Sequence, residues 1–271
     1  MAKIAVIGLS GQSIFMHLDD FPIPSVTTHV KSYYEEPGGK GYNQAVACNK
    51  LGCNVSYLSR IGNDYYGKYC KEYMESLDIK TFFIKDLEEK TALATILISK
   101  NGENEVIVYP GASKNLNDED LGIFKEEIYD ADVLLLQYET NIDILKKAIS
   151  IAKEAKIVTI LNQNILESVD ILTPNLEEAK KLYCLPYHIN IDDMGKYLAK
   201  KVRNILIITL GDKGCLLVKD KKYKYYPAFK VKALDTTGAG DIFNAAFATM
   251  IAKENSIDEA IRYAMAAAAL S

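Results

Sequence analysis

Tryptophan is absent from this chain, and histidine occurs only at the isolated positions His17, His29 and His188, which form no metal-ligand pattern. Cysteine is scarce as well. Cys48, Cys53, Cys70, Cys184 and Cys215 are odd in number, lack C-x-x-C spacing and sit among apolar or helical neighbours. That pattern argues against a disulfide framework or a metal site and for reduced thiols. No uninterrupted apolar run is long enough to span a bilayer. The N-terminal MAKIAVIGLSG holds too short an apolar stretch for a secretory signal and reads as a buried strand. The expected setting is cytoplasmic, with no membrane partner. An excess of one charge is also missing: 32 Lys and Arg are interspersed with 36 Asp and Glu, for a net charge of −4. This argues against a nucleic-acid partner, whereas a small anionic substrate needs only a local basic pocket.

What the chain does have is an ordinary globular mix and one unusual stretch. With 271 residues, 49% of them hydrophobic, it can hold a single large α/β domain over 1–271. The stretch is Leu234 to Phe247, LDTTGAGDIFNAAF, which starts as the end of a β-rich segment and finishes as an amphipathic helix. Gly238-Ala239-Gly240 between them lets the backbone turn sharply and brings successive N–H groups towards a ligand. The helix beginning near Gly240 adds unpaired N–H groups and the positive end of its dipole. Such a turn suits an anion, above all a phosphate in transfer. Asp241 beside it can take a proton from an attacking hydroxyl. A lone G-x-G would read more simply as a strand-to-helix turn with Asp241 as cap. The full DTTGAGD run is far more specific.

Taken in order, Lys3–Leu9 is a compact apolar strand of the parallel-sheet kind. Segment 13–37 breaks away in short β-prone pieces interrupted by Pro22 and Pro24. Gly38 to Ala47, GGKGYNQAVA, is a glycine-rich turn into a helix with a small-residue face, where Asn43 offers a hydroxyl both donor and acceptor. A strand over Val55–Ile61, the turn Gly62–Gly67 and a helix over Tyr66–Leu77 follow. Thr91–Ile98 and Val106–Pro110 flank Asn101-Gly102 as a hairpin, which belongs with the earlier excursion as a small separate sheet. From Asp118 helices and strands alternate regularly, with strands at Val133–Gln137, Ile157–Leu161, Val169–Leu172 and Ile205–Leu210. This predicts a doubly wound, mostly parallel sheet with ligands at the carboxyl ends of strands. Every polar motif falls at such an end. Asn175 and Glu178 are one helical turn apart and suit either a capping box or water ligands of magnesium. The basic, aromatic run Lys219–Tyr226 reads as an exposed edge hairpin rather than a nucleic-acid patch.

The runs DTTGAGD, GGKGYNQAVA and G-x-D-x-x-G, with N-x-x-E at Asn175–Glu178 and T-x-G-x-x-G at Thr209–Gly214, resemble the signatures of the ribokinase-like (PfkB) carbohydrate kinases, in that family's order. The resemblance covers the chain from Lys3 onwards. It implies a ribokinase-like α/β fold whose small β-sheet lid is formed by insertions at about 13–37 and 91–110. It also implies ATP-dependent transfer of the γ-phosphoryl group to a primary hydroxyl of a sugar. Carried over by motif, Asp241 is the base and Gly238, Ala239 and Gly240 the anion hole. Gly39, Lys40, Asn43, Glu139 and Ser13 fall on the substrate side. Asn175, Glu178, Thr209, Gly211 and Gly214 fall on the ATP and Mg²⁺ side. Asp235 and Thr237 resemble a monovalent-cation site, for K⁺. Two thin lid sheets covering one another further suggest a homodimer through the lid.

Three departures stand out. Gly11-Gln12-Ser13 occupies the place of the Asn-x-Asp of ribokinases, so the aspartate that grips adjacent sugar hydroxyls is replaced by Ser13; Gln12 offers a donor and an acceptor beside it. The loop after Leu161, Asn162 to Glu167, is short. The sequence stops at Ala269-Leu270-Ser271, where family members continue through a loop, a strand and a helix. Two other functions remain compatible: a nucleoside kinase of the same fold, with Phe15 and Tyr109 beginning a base pocket, and a non-catalytic nucleotide- or sugar-binding regulator.

Overall fold

The computed structural model describes residues 1–162, 168–231 and 237–271. Asp235 and all of the short loop after Leu161 except Asn162 therefore lie outside the described residues. The chain opens with β1 (Lys3–Ile7), leaves the main sheet through β2 (Gly11–Leu18) and β3 (Ser32–Gly38), and returns by α1 (Lys40–Lys50). There follow β4 (Asn54–Gly62), α2 (Tyr65–Ser76), β5 (Lys80–Asp86), and the hairpin β6 (Ala92–Ser99) and β7 (Asn104–Tyr109). The alternating part comprises α3 (Asp118–Tyr129), β8 (Val133–Gln137), α4 (Ile142–Ala155), β9 (Val158–Asn162) and β10 (Ile171–Leu172). It continues with α5 (Leu176–Tyr183), α6 (Ile191–Lys201) and β11 (Ile205–Thr209). An antiparallel hairpin, β12 (Cys215–Lys219) and β13 (Lys222–Tyr226), precedes α7 (Ala239–Ala252) and α8 (Ile257–Leu270).

Nine strands form one sheet in the order β13-β12-β11-β10-β9-β8-β1-β4-β5. All neighbours pair parallel from β11 to β5, and only the terminal hairpin runs antiparallel. Alternation within β1 explains the layers. Ile4 and Val6 enter a core with Cys48 of α1, Met74 of α2, Phe247 of α7 and Ile261 of α8. Ala5 and Ile7 enter the opposite core with Phe124 of α3, Ile149 of α4, Ala179 of α5 and Leu198 of α6. A strand buried on both faces must be apolar at consecutive positions, and this one is.

The second sheet has four strands, ordered β3-β2-β6-β7. Segments 13–37 and 91–110 thus meet, with β2 and β6 paired in parallel from Gly11↔Ala92 to Leu18↔Ser99. The turn Gly62–Gly67 ties its root to the main body. Asp64 caps α2 by accepting from the Gly67 N–H at 2.9 Å, and it also accepts from the N–H of Thr91 at 2.8 Å and its hydroxyl at 2.6 Å. Away from that root the sheet is poorly covered: Tyr33, Val106, Ile107 and Val108 are all more than half exposed.

Two elements had no counterpart in the reading of the sequence. β5 is a half-buried edge strand flanked by Lys80, Lys85 and Asp86, with no clean alternation. α8 is an alanine-rich helix whose N-terminus carries a Ser256/Glu259 capping box. The five cysteines are all free thiols; four are buried and Cys184, just beyond α5, is exposed.

Candidate active site

Strand order reverses at β1, whose neighbours β4 and β8 lead the chain in opposite directions across the sheet. Crevices at the carboxyl ends of strands at such a point are where open α/β sheets bind ligands. α7 packs across β1 and β8 and against α1 there. Its N-terminal residue of attachment is Gly238, at φ 78°, a left-handed conformation that a side chain would strain. Among the described residues no side chain caps the helix, and none has an atom within 4 Å of a Cβ placed at Gly238 or Gly240. The first-turn N–H groups of α7 thus have no side-chain cap among the described residues, the arrangement that accepts an anion. The turn is braced from below: Asn244 donates to the Gly240 carbonyl at 2.8 Å and accepts from the Thr173 hydroxyl at 2.5 Å.

Asp241 lies in the first turn of α7 and is 9% exposed. α1 supplies both of its partners: Asn43 Nδ2 donates to Oδ2 and Gln44 Nε2 to Oδ1, each at 3.0 Å. Burial dominates its titration and pushes the carboxyl up to about 6. The amide hydrogen bonds from Gln44 and Asn43 oppose that rise, the charge of Glu139 adds to it, and Lys40 counters it. A carboxylate with an affinity for protons near the working pH is suited to general-base work.

On the substrate side, Gly39 caps α1 and Lys40 begins it. The Lys40 N–H donates to Glu139, just after β8, at 3.2 Å. Its ammonium lies 3.7 Å from Glu139 and 3.8 Å from Glu178, bridging the groups assigned to sugar and to nucleotide. These partly exposed pairs position the side chains more than they stabilise the fold. Ser13 on β2 faces the same crevice: a Cβ at Gly38 would touch its hydroxyl at 2.6 Å and the Asn43 side-chain oxygen at 3.8 Å. Gln12 does not share that direction. The pleat turns it to the opposite face of the small sheet, where it is 2% exposed, so it cannot stand in for Ser13.

On the nucleotide side, Asn175 and Thr209 form an isolated parallel bridge at adjacent strand ends. Asn175 and Glu178 make a complete capping box: Asn175 accepts from the Glu178 N–H at 2.9 Å and Glu178 accepts from the Asn175 N–H at 2.8 Å. The simpler of their two readings is thus realised, and the Glu178 carboxylate still reaches towards Lys40. Gly211 opens a 3₁₀ turn after β11 and Gly214 closes it, with the Gly214 N–H donating to Gly211 at 3.0 Å. Thr237 is exposed beside Gly238, while Asp235 lies outside the described residues. Among the described residues no group of three or more His, Cys, Asp or Glu is arranged to hold a metal, and no helix is long and apolar enough to cross a membrane.

Two residues that the sequence did not single out belong to this site. Gln44 was visible only as part of the NQ pair, and Gln137, the last residue of β8, donates to Gln44 Oε1 at 2.7 Å. Neither carried a signal of its own, because a glutamine in an apolar strand or helix is usually a spacer.

Comparison with known proteins identifies the family and matches the fold. A family model described as pfkB family carbohydrate kinase matches residues 1–271. The chain is 33% identical to the ribokinase of Haemophilus influenzae, over 99% of this chain and 91% of that protein. It is 29% identical to a deoxyribokinase of Salmonella typhi, over 99% and 92%. Among solved structures, Arabidopsis thaliana ribokinase complexed with ribose and ATP superposes with a TM-score of 0.84 at 28% identity, covering 100% of this chain and 92% of that one. With its whole length matched, its motifs in order and its fold superposable, the chain belongs to the pfkB family of carbohydrate kinases.

Proposed function

We propose that the chain transfers the γ-phosphoryl group of ATP to a primary hydroxyl of a small sugar, with Asp241 as general base. The observation that carries this is the buried Asp241 carboxylate, held by Asn43 and Gln44 directly beside an uncapped helix N-terminus. The acceptor's O–H proton passes to Asp241 as its oxygen bonds to the γ-phosphorus. The bond from that phosphorus to the β,γ-bridging oxygen breaks, and ADP leaves with the electron pair. Charge on the transferring group meets the N–H groups around Gly238, Ala239 and Gly240. Gly39, Lys40, Asn43, Glu139 and Ser13 serve the acceptor, and Thr209, Gly211 and Gly214 the nucleotide. Asn175 and Glu178 would hold magnesium through its waters; an amide and one carboxylate fit an ion that keeps most of its hydration. When bound, that ion neutralises phosphate charge. Similarity to proteins named ribokinase and deoxyribokinase favours a pentose-sized acceptor. A cytoplasmic setting accords with five free thiols.

A coupled assay of ADP release with magnesium, over pentoses, hexoses and nucleosides, tests the reading. ATP-dependent turnover is expected to be highest on a sugar. Faster turnover on a nucleoside would reassign the acceptor, and no ADP release with any acceptor would leave a binding protein. In the same assay, added potassium should raise the rate at fixed magnesium, because Thr237 and Asp235 match a cation loop beside the anion hole. Equal rates in potassium and in a bulky inert cation would remove that site.

The small sheet acts in this reading as a lid that excludes water from the transfer. Its weakly covered strands, with Tyr33, Val106, Ile107 and Val108 more than half exposed, are proposed to pair with those of a second copy. Light scattering at micromolar concentration without substrate should give twice the chain mass. A monomeric mass would sink the dimer.

A further inference from the structure

Gln44 and Gln137 are fully buried, yet each presents a polar side chain to the interior beneath Asp241. Their hydrogen bonds run one way: Gln137 Nε2 to Gln44 Oε1 at 2.7 Å, then Gln44 Nε2 to Asp241 Oδ1 at 3.0 Å. An amide can present either its oxygen or its nitrogen, so something must choose the direction. The choice is made at the far end. Among the described residues the Gln137 Oε1 has no hydrogen-bond partner, and it lies against the backbone of Gly8 and Gly41, where an added Cβ would come within 2.3 Å and 2.5 Å of it. The Cα–H groups of these two glycines lie against it, and such groups tolerate an oxygen. Turning Gln137 over would bury its two N–H donors against carbon and set its oxygen against that of Gln44. The two glycines thereby fix Gln137, Gln137 fixes Gln44, and Gln44 presents a donor to the carboxylate.

We propose that Gln137 and Gln44 are positioning residues forming a polarised relay that anchors Asp241 Oδ1 from behind and leaves Oδ2, on the Asn43 side, to collect the acceptor's proton. This rests on the assignment of Asp241 as the base. The relay also sets how readily that base ionises. Burial and Glu139 push Asp241 towards the protonated form, whereas Gln44, Asn43 and Lys40 favour the carboxylate. Removing the Gln44 donor leaves the first pair less opposed.

The test is Gln44→Met, Gln137→Met and the double variant, read by the acid limb of kcat/KM and by the ¹³C carboxyl shift of Asp241 across pH. Gln44→Met is expected to raise the Asp241 titration by about one pH unit, a hydrogen bond to a charged group being worth roughly that. Gln137→Met, which does not touch the base, should raise it by less, because Gln44 keeps its donor but loses its orientation. The double variant should match Gln44→Met alone, since the two act in series. An acid limb and a carboxyl titration that coincide with wild type in either folded single variant would overturn the relay, as would additive effects in the double. Should Gln44→Met fail to fold, Gln137→Met decides alone by the same two readouts. The carboxyl titration needs no turnover, so a shifted titration in a protein that phosphorylates no sugar would reject the kinase reading and keep the relay.

Discussion

Asp241→Asn should lower turnover by about 10²–10⁴-fold, the usual contribution of a general base, while leaving the fold in place. The substitution is close to isosteric, and its hydrogen bonds can all be remade. Gln44 is fixed as a donor, so the new amide oxygen faces it. The new NH₂ then meets Asn43, which needs only to turn its own amide. Stability should move the other way. Burial holds the folded-state carboxyl at about 6, above its ordinary value of 3.8. Ionisation therefore opposes folding: the stability is fully present below about pH 4 and is lost as pH rises through about 6, roughly 2–3 kcal/mol in all. An asparagine escapes that loss. The variant should melt at or above the wild-type temperature at pH 7.5, with a flatter dependence between about pH 4 and 6. Steady-state kinetics with the best acceptor, alongside thermal unfolding at pH 7.5 and across the range from about pH 4 to 6, checks both halves. Near wild-type turnover would withdraw Asp241 from the chemistry.

Ribose should be a poor substrate with a high KM, and Ser13→Asp should improve it. A carboxylate accepts charge-assisted hydrogen bonds from two neighbouring hydroxyls at once, and a serine hydroxyl cannot reproduce that grip. Losing a charged partner costs about 1.5–3 kcal/mol per bond, or one to two decades of affinity. The register adds a condition that the sequence did not reveal. Ser13 lies directly opposite Glu36 in the β2–β3 pair, so both side chains share the face turned to the crevice. A second carboxylate there would repel the first. The gain from Ser13→Asp alone should sit at the low end, about tenfold in KM, and Ser13→Asp with Glu36→Gln should exceed it. A wild-type KM for ribose well below millimolar would defeat the argument about the missing aspartate.

The turn before α7 was legible in the sequence because it constrains the backbone itself: Gly238 sits in a left-handed conformation, at φ 78°, and few residues allow one. The parallel sheet was legible for a related reason. β1 and β8 are buried on both faces and so are written as unbroken apolar runs. β5 escaped notice because an edge strand is only half-buried and its charged flanks mask the alternation. α8 could have been read from Ser256 and Glu259, a capping box three residues apart, but its alanine-rich body has no strong apolar stripe. Gln44 and Gln137 could not have been joined at all. They are 93 residues apart, and only the meeting of α1 with the end of β8 makes them neighbours. Glu36 was silent for the same reason, because register between β2 and β3 depends on where the chain turns after Leu18.

The distribution of thiols makes the chain its own counter of unfolding events. Cys184 alone is exposed, whereas Cys48, Cys53, Cys70 and Cys215 are buried and burial raises the pKa of Cys48, Cys70 and Cys215, the latter two to about 12. Thiolate is the reactive form, so a thiol reagent should modify the native protein once, at the end of α5, and then stop. Each further adduct requires the interior to open. Because Cys48, Cys53 and Cys70 share the core around α1, α2 and α7 while Cys215 sits at the β12 end of the same layer, the order in which adducts appear would tell which end of the sheet opens first.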